Sequence, residues 1–343
     1  MRRSRLSSCG PHIMETSLFV LAIVVFLALA FDFINGFHDT ANAIAMSVST
    51  RALKPRTAIL LAAGMNFLGA ITFTGVAKTI GGSIADPTTL NNGIEIVIAT
   101  LIAAIIWNLA TWWFGIPSSS SHAMIGALAG AVFVGAGASS VNWKGFLEIV
   151  EALVFSPLIA FAVGYIIMII LKYTVGRRSP HTVNKGFRSM QVLTAALQSF
   201  AHGTNDAQKA MGIMTFALIS AGRWDSLEPP LWVKLSAATA IALGTSVGGW
   251  KIIKTLGTKI FKIEPINGFA ADVSSASVIF TATLLHLPIS TTHAATSSIL
   301  GVGAAKRFRE VKWGMAGRII VAWFITIPIV AIMAGLIYKL MFW

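Results

Sequence analysis

The 343-residue sequence predicts an all-α polytopic membrane protein made of two homologous halves. Three observations predict it. The chain is 55% apolar and only 11% charged, with a mean hydropathy of +0.77. Apolar runs of membrane-spanning length recur along it. Two polar motifs each occur twice, in the same order.

Charge is the first constraint. A soluble domain normally carries about 25% charged residues; a chain with so few cannot coat itself in water, and much of its surface must face lipid. A crossing takes about 20 mostly apolar residues, which residues 18–30, 151–171 and 318–337 supply or nearly supply. Runs this long and uniform exclude a β-barrel, whose strands alternate with a period of two. The net charge of +13 collects in short loops, around Arg51–Arg56, Lys172–Arg188, Lys251–Lys262 and Lys306–Lys312. That is the positive-inside pattern of a membrane protein, not a nucleic-acid footprint.

The elements follow in order. Residues 1–13 read as an N-terminal extension ahead of a natural start at Met14, and they hold the single cysteine, Cys9. With one cysteine there is no intrachain disulfide. Arg2, Arg3 and Arg5, an apolar run and Ala28-Leu29-Ala30 resemble a signal peptide. Cleavage there would remove the helix leading into Asn35, so the segment is read as retained. The first half, 14–173, has apolar helices over 18–34, 57–80, 93–114 and 147–173. A basic cytoplasmic loop, 174–186, joins it to the second half, 187–343, with helices over 190–200, 231–256, 267–285 and 314–340. Short helices should begin at Pro117 and Pro288, each followed by a Gly- and Ala-rich stretch. Counting broken or re-entrant half-helices gives 10–12 segments.

The repeat is read from the motifs. Asn35-Gly36-Phe37-His38-Asp39-Thr40-Ala41-Asn42-Ala43 aligns with His202-Gly203-Thr204-Asn205-Asp206-Ala207-Gln208-Lys209-Ala210, 167 residues on. Pro117-Ser118-Ser119-Ser120-Ser121-His122 aligns with Pro288-Ile289-Ser290-Thr291-Thr292-His293, 171 residues on. Two matches in one order mark a duplicated unit, and corresponding broken helices favour an inverted repeat with its site at the interface of the halves.

Asp39 and Asp206 follow long apolar runs. A carboxylate at the bilayer centre costs at least ~2.5–3.5 kcal/mol, so each needs a cation, a proton or a lysine. Gly36 and Gly203, three residues earlier, would permit a helix break lining a cavity. Asp39, Thr40 and Asn42, with Asn205 and Asp206 in the second copy, form an all-oxygen set suited to a hard cation such as Na⁺. The bland reading is that these Asp residues cap short helices. Pro117 and Pro288 suit a first helical turn. Ser119, Ser120 and Ser121, like Ser290, Thr291 and Thr292, then place hydroxyls and free amides at a helix N-terminus, a ready anion site. Their bland reading is Ser/Thr packing between membrane helices. Lys209 neutralises Asp206 or reaches the anion, and Gln208 adds neutral donors. His38, His122 and His293 read as orienting groups, with proton carriage by His38 left open. Asp272 and Glu95 open apolar runs and are secondary candidates, equally explained by placement near helix N-termini.

On these residues the sequence resembles the inorganic phosphate transporter family, which includes bacterial low-affinity phosphate permeases and eukaryotic sodium–phosphate cotransporters. The resemblance rests on 35–43, 202–210, 116–122 and 287–293, and with the connecting helices covers nearly the whole chain after Met14. It implies inverted repeats and phosphate symport driven by Na⁺ or H⁺, with Asp39, Asn42, Asp206, Gln208 and the Ser and Thr clusters lining the site. Larger members have a long central hydrophilic domain that this chain lacks. The family also includes permeases thought to carry sulfate.

The expected function is therefore cation-coupled symport of inorganic phosphate, with Na⁺ favoured over H⁺, in the cell membrane. No cofactor and no enzymatic activity are expected. The expected partners are phosphate, the coupling ion and the bilayer, with no nucleic acid; a homo-oligomer stays open. The alternatives are a sulfate permease of the same fold, a passive anion channel and a membrane-embedded Ser/His hydrolase. The last lacks the G-x-S-x-G nucleophile elbow.

Overall fold

The computed structural model describes residues 18–343; the expectations placed on residues 1–13, Cys9 and Met14 lie outside them. Among the described residues, twelve α-helices form two sets of six. The first set is α1 (Leu18–Ser49), α2 (Pro55–Thr72), α3 (Gly75–Gly82), α4 (Gly93–Phe114), α5 (Ser120–Ala136) and α6 (Trp143–Val175). The second is α7 (Pro180–Ser220), α8 (Leu231–Val247), α9 (Trp250–Lys254), α10 (Pro265–Leu284), α11 (Thr291–Arg307) and α12 (Trp313–Phe342). Four helices, α1, α4, α6 and α12, are long and apolar enough to cross a membrane. Counting each bent pair, α2–α3 and α8–α9, as one span raises the number to six.

The two sets share details that motif reading did not use. Pro157 lies inside α6 and Pro328 inside α12. The Trp143 indole at the start of α6 donates to Ala138 O at 3.1 Å, and the Trp313 indole at the start of α12 donates to Phe308 O at 3.0 Å. The loop after α5 is clipped to the end of the α2–α3 limb by Asn142 N–H to Ile84 O, 2.8 Å. The loop after α11 is clipped beyond α9 by Lys312 N–H to Ile260 O, 3.0 Å.

The helix breaks are not where the sequence reading placed them. α1 runs unbroken through Gly36 and α7 through Gly203. The bends come between α2 and α3, at 68°, and between α8 and α9, at 62°, inside runs read as single helices. The glycines serve close packing instead. A Cβ on Gly36 would lie 2.8 Å from Thr245 N on α8, and one on Gly203 would lie 2.7 Å from the Asn66 Cα on α2. Gly244 and Gly69 make the reciprocal approaches, against the backbone of Phe33 and of Phe200 to Thr204. The first long helix of each half is thus pressed backbone to backbone against the second element of the other half. Two other boundaries shift. Ser179 caps α7, its Oγ accepting from Thr182 N–H at 3.3 Å, and Pro180 takes the first turn. The linker therefore narrows from 174–186 to 176–179. The Gly- and Ala-rich stretches after Pro117 and Pro288 are themselves helical, as α5 and α11.

Gly203→Ala is expected to destabilise the protein by about 1–3 kcal/mol, the range for forcing atoms into a filled contact. Thermal unfolding in detergent reads this directly. Gly64→Ala, on the α2 helix that Gly203 packs against and with no described atom within 4 Å of its new Cβ, is the control. Its Tm should hold or rise, because alanine is the better helix former.

Candidate functional site

Two loops carry the helix starts that meet at the site. α4 ends in a Schellman arrangement: Gly115 N–H donates to Trp112 O at 3.0 Å and Ile116 N–H to Thr111 O at 2.9 Å, with Gly115 in the left-handed region at φ 64°. α10 ends the same way at His286 (φ 59°), with His286 N–H to Thr283 O and Leu287 N–H to Ala282 O. This reversal satisfies the last carbonyls and turns the chain back toward the core. The chain then runs through Pro117 or Pro288 to an N-cap. Ser119 Oγ accepts from His122 N–H at 3.1 Å, and Ser290 Oγ accepts from His293 N–H at 3.1 Å. The prolines therefore precede the cap by two residues, where they keep the approach extended, rather than filling the first turn.

These caps leave Ser120 and Ser121, and Thr291 and Thr292, as the opening residues of α5 and α11, whose backbone N–H groups have no intrahelical acceptor. All four are buried. The two tips touch. Ser121 Oγ donates to Ile289 O at 2.6 Å, and the His122 and His293 rings lie 4.4 Å apart. His293 stacks on Trp323 at 3.8 Å.

Asp39 and Asp206 meet these tips from the middle of α1 and α7. Asp39 Oδ1 accepts from Thr292 Oγ1 at 3.1 Å and lies 2.8 Å from His38 Nδ1; its Oδ2 accepts from Ser120 Oγ at 3.3 Å. Asp206 Oδ2 accepts from Thr291 Oγ1 at 3.1 Å and from Asn35 Nδ2 at 3.4 Å, with His202 Nε2 3.1 Å away. The Lys209 ammonium is 2.8 Å from Asp206 Oδ1 and donates to Ser120 Oγ at 2.6 Å. Asn42 Nδ2 donates to Thr292 Oγ1 at 2.9 Å. One buried chain of contacts therefore runs from Asp206 through Lys209, Ser120, Asp39 and Thr292 to Asn42. Ligand atoms of Asp39, His202 and Asp206 lie within 4.8 Å of one another. The two carboxylates and one ammonium leave an excess negative charge beside two positive helix ends, an arrangement that can hold a cation and an oxyanion next to each other.

The other candidates stand apart. The Thr40 hydroxyl donates to Gly36 O at 2.6 Å and to Thr245 O at 3.2 Å, so it faces α8. Asn205 holds the second loop, its Nδ2 donating to Leu287 O at 3.2 Å and its Oδ1 accepting from Ile289 N–H at 3.4 Å. Its counterpart in the repeat, His38, steadies the end of α4 through Thr111 Oγ1 at 3.1 Å. Gln208 donates to Thr204 O and accepts from Ala77 N–H at 3.0 Å, so it ties α7 to the start of α3 rather than presenting donors to an anion. Asp272 accepts from Thr194 Oγ1 at 3.1 Å and lines a small cavity with Asn42, Gln198 and Ser275. Glu95 lies in the first turn of α4, about 24 Å along the helix from Thr111. Asn35 heads the aligned motif but was given no role there, and Asp32 lies outside the motif. The signal for Asp32 was its place seven residues before Asp39, two turns back on the same helical face.

A helical membrane protein that gathers its ionisable groups at the meeting of two paired helix tips has the build of a transporter. The chain belongs to the phosphate transporter family, whose model matches residues 35–334. It is 58% identical over 326 residues to a probable low-affinity inorganic phosphate transporter of Bacillus subtilis (strain 168), covering 95% of this chain and 98% of that one. It is 46% identical over 321 residues to one from Rhizobium meliloti (strain 1021), covering 93% and 96%. Among solved structures it resembles one titled the sodium-dependent phosphate transporter, with TM-score 0.83 and 28% identity over 94% of this chain and 99% of that one. This is a multi-pass protein of the cell membrane.

Proposed function

We propose that the protein is a secondary transporter carrying inorganic phosphate together with a cation, Na⁺ favoured over H⁺ at the Asp39–Asp206 site. The observation that carries this reading is the convergence of Asp39 and Asp206 with the opening residues of α5 and α11 in one buried cluster. In this reading Ser120, Ser121, Thr291 and Thr292 hold the anion by hydroxyls and first-turn amides, while Ser119 and Ser290 brace those turns. Asp39, Asp206 and Asn42 hold the cation. Burying a phosphate alone is prohibitive; the cation offsets its charge, so loaded and empty sites reorient and half-loaded ones do not. The halves act as inverted repeats around this site. The protein acts as no enzyme: Ser119, whose Oγ lies 2.8 Å from His122 Nδ1, serves as a helix cap.

Purified protein in proteoliposomes tests this. An inward Na⁺ gradient at equal pH should drive accumulation of labelled phosphate above the external concentration. Flux indifferent to both Na⁺ and pH gradients would make it a passive channel. Equal competition by sulfate would widen the substrate to tetrahedral dianions.

A further inference from the structure

Asp32 is fully buried in α1, and neither of its carboxylate oxygens has a hydrogen-bond partner among the described residues. It lies one turn before Asn35 and two turns before Asp39, about 10 Å along the helix from the latter. Its repeat equivalent, 167 residues on, is Ser199, which is satisfied locally by donating to Ala195 O at 2.6 Å. The duplicated architecture therefore does not require an acid here. Its chain neighbour Phe31 and, one turn earlier, Ala28 are buried in the apolar core shared with α4 and α5. The charges that act on Asp32 from neighbouring helices are both on α7: Lys209, which attracts it, and Asp206, which repels it. Besides α7, the helices that pack most extensively on α1 are α4 and α8. Each carries one charged residue, Glu95 and Lys234 respectively, in its first turn.

We infer that Asp32 is a proton-binding site of the transport cycle, whose occupancy sets whether Lys209 stays on the anion site. An ionised carboxylate with no donor and no counter-ion in contact is untenable in the membrane interior. The proton is the cation that suits it. Na⁺ needs a shell of several oxygens; Asp39 and Asp206 hold the hydroxyls of Ser120, Thr291 and Thr292, and no described hydroxyl is bonded to Asp32. The cluster of carboxylate and imidazole atoms close enough to share one ion comprises Asp39, His202 and Asp206, without Asp32. Protonated, Asp32 makes no claim on Lys209, and the ammonium rests on Asp206 and Ser120 as observed. Ionised, it competes with Asp206 for that ammonium and draws it from the Ser120 tip of α5. The proton is taken from water on the side to which the site opens and returned to water on the other. This inference rests on the transport reading above and adds a second coupling ion to it.

The test uses the full chain, wild type and Asp32→Asn, with Asp32→Glu as the conservative variant. In proteoliposomes at equal Na⁺ on both sides, an inward proton gradient should accelerate wild-type phosphate uptake. Asp32→Asn should lose that response by about tenfold, within the usual range of a coupling between two sites, while Asp32→Glu keeps it. Infrared difference spectra, wild type minus Asp32→Asn, should contain the C=O band of a protonated carboxyl, and Asp32→Glu should retain that band. An Asp32→Asn protein with the wild-type response to the proton gradient, or a wild type without that band, overturns the inference. A wild type that moves no phosphate overturns the transport reading instead, and the infrared band still decides the state of Asp32.

Discussion

Lys209→Met is expected to cost about 3–5 kcal/mol of stability, the usual penalty for stranding one partner of a buried ion pair, and to abolish phosphate uptake. The Lys209 side chain is 1% exposed and the Asp206 side chain 0%. Methionine fills the space of the aliphatic stem but leaves Asp206 with only Thr291, Asn35 and His202 around it. It also removes the donor that fixes Ser120 at the tip of α5. The double variant Asp206→Asn with Lys209→Met should recover most of the stability, because replacing both members of a buried pair is commonly neutral. It should not recover uptake. Lys209→Arg is no remedy, since a planar fork replaces a compact ammonium at full burial. Thermal unfolding in detergent and uptake in proteoliposomes separate the two effects. A single variant as stable as wild type would mean that Asp206 is held by other means.

Asp39→Asn should keep the fold and end accumulation. Asparagine is nearly isosteric, and its amide oxygen can still accept from Ser120 or Thr292. What it loses is the charge offered to a coupling cation. Partners that merely support a metal ligand are worth ~10–100-fold in affinity, so loss of the ligand's own charge should weaken Na⁺ dependence by more than ~100-fold. The measurement is the Na⁺ concentration giving half-maximal phosphate uptake. Accumulation against a gradient by the Asn protein would sink the assignment of Asp39.

What could be read in advance followed from chemistry that leaves a mark on composition or period. The dearth of charge placed the chain in a membrane, and the doubled motifs put a site at the interface of the halves, with Asp39, Ser120 and Thr292 among its candidates. The Ser-Pro start of α7 was equally legible at 179–180, yet it was lost inside a basic stretch read as a loop. Gly36 and Gly203 were misread because a glycine in an apolar helix has two uses. It can relax the backbone or let another backbone come near, and only the position of α8 or α2 decides which. Gln208, Asn205 and Thr40 sit in the right motif but point out of it, because successive residues of a helix turn about 100° and a motif has a back as well as a front. Asp32 escaped notice because one acid does not disturb a long apolar run.

The reciprocal glycine crossings bear on which parts travel together. Phe33 to Gly36 of α1 are seated on Ile241 to Thr245 of α8, and Phe200 to Thr204 of α7 on Asn66 and Gly69 of α2. Each seat joins one half of the sequence to the other with almost no side chain between the backbones. Sliding the halves past each other as blocks would shear both seats at once, against main chain that has no rotamer to yield. A cycle that keeps them intact carries α1 with α8 and α7 with α2 as composite struts. In the transport cycle proposed above, the boundary of opening would then be drawn across the two sequence halves, not along the join between them.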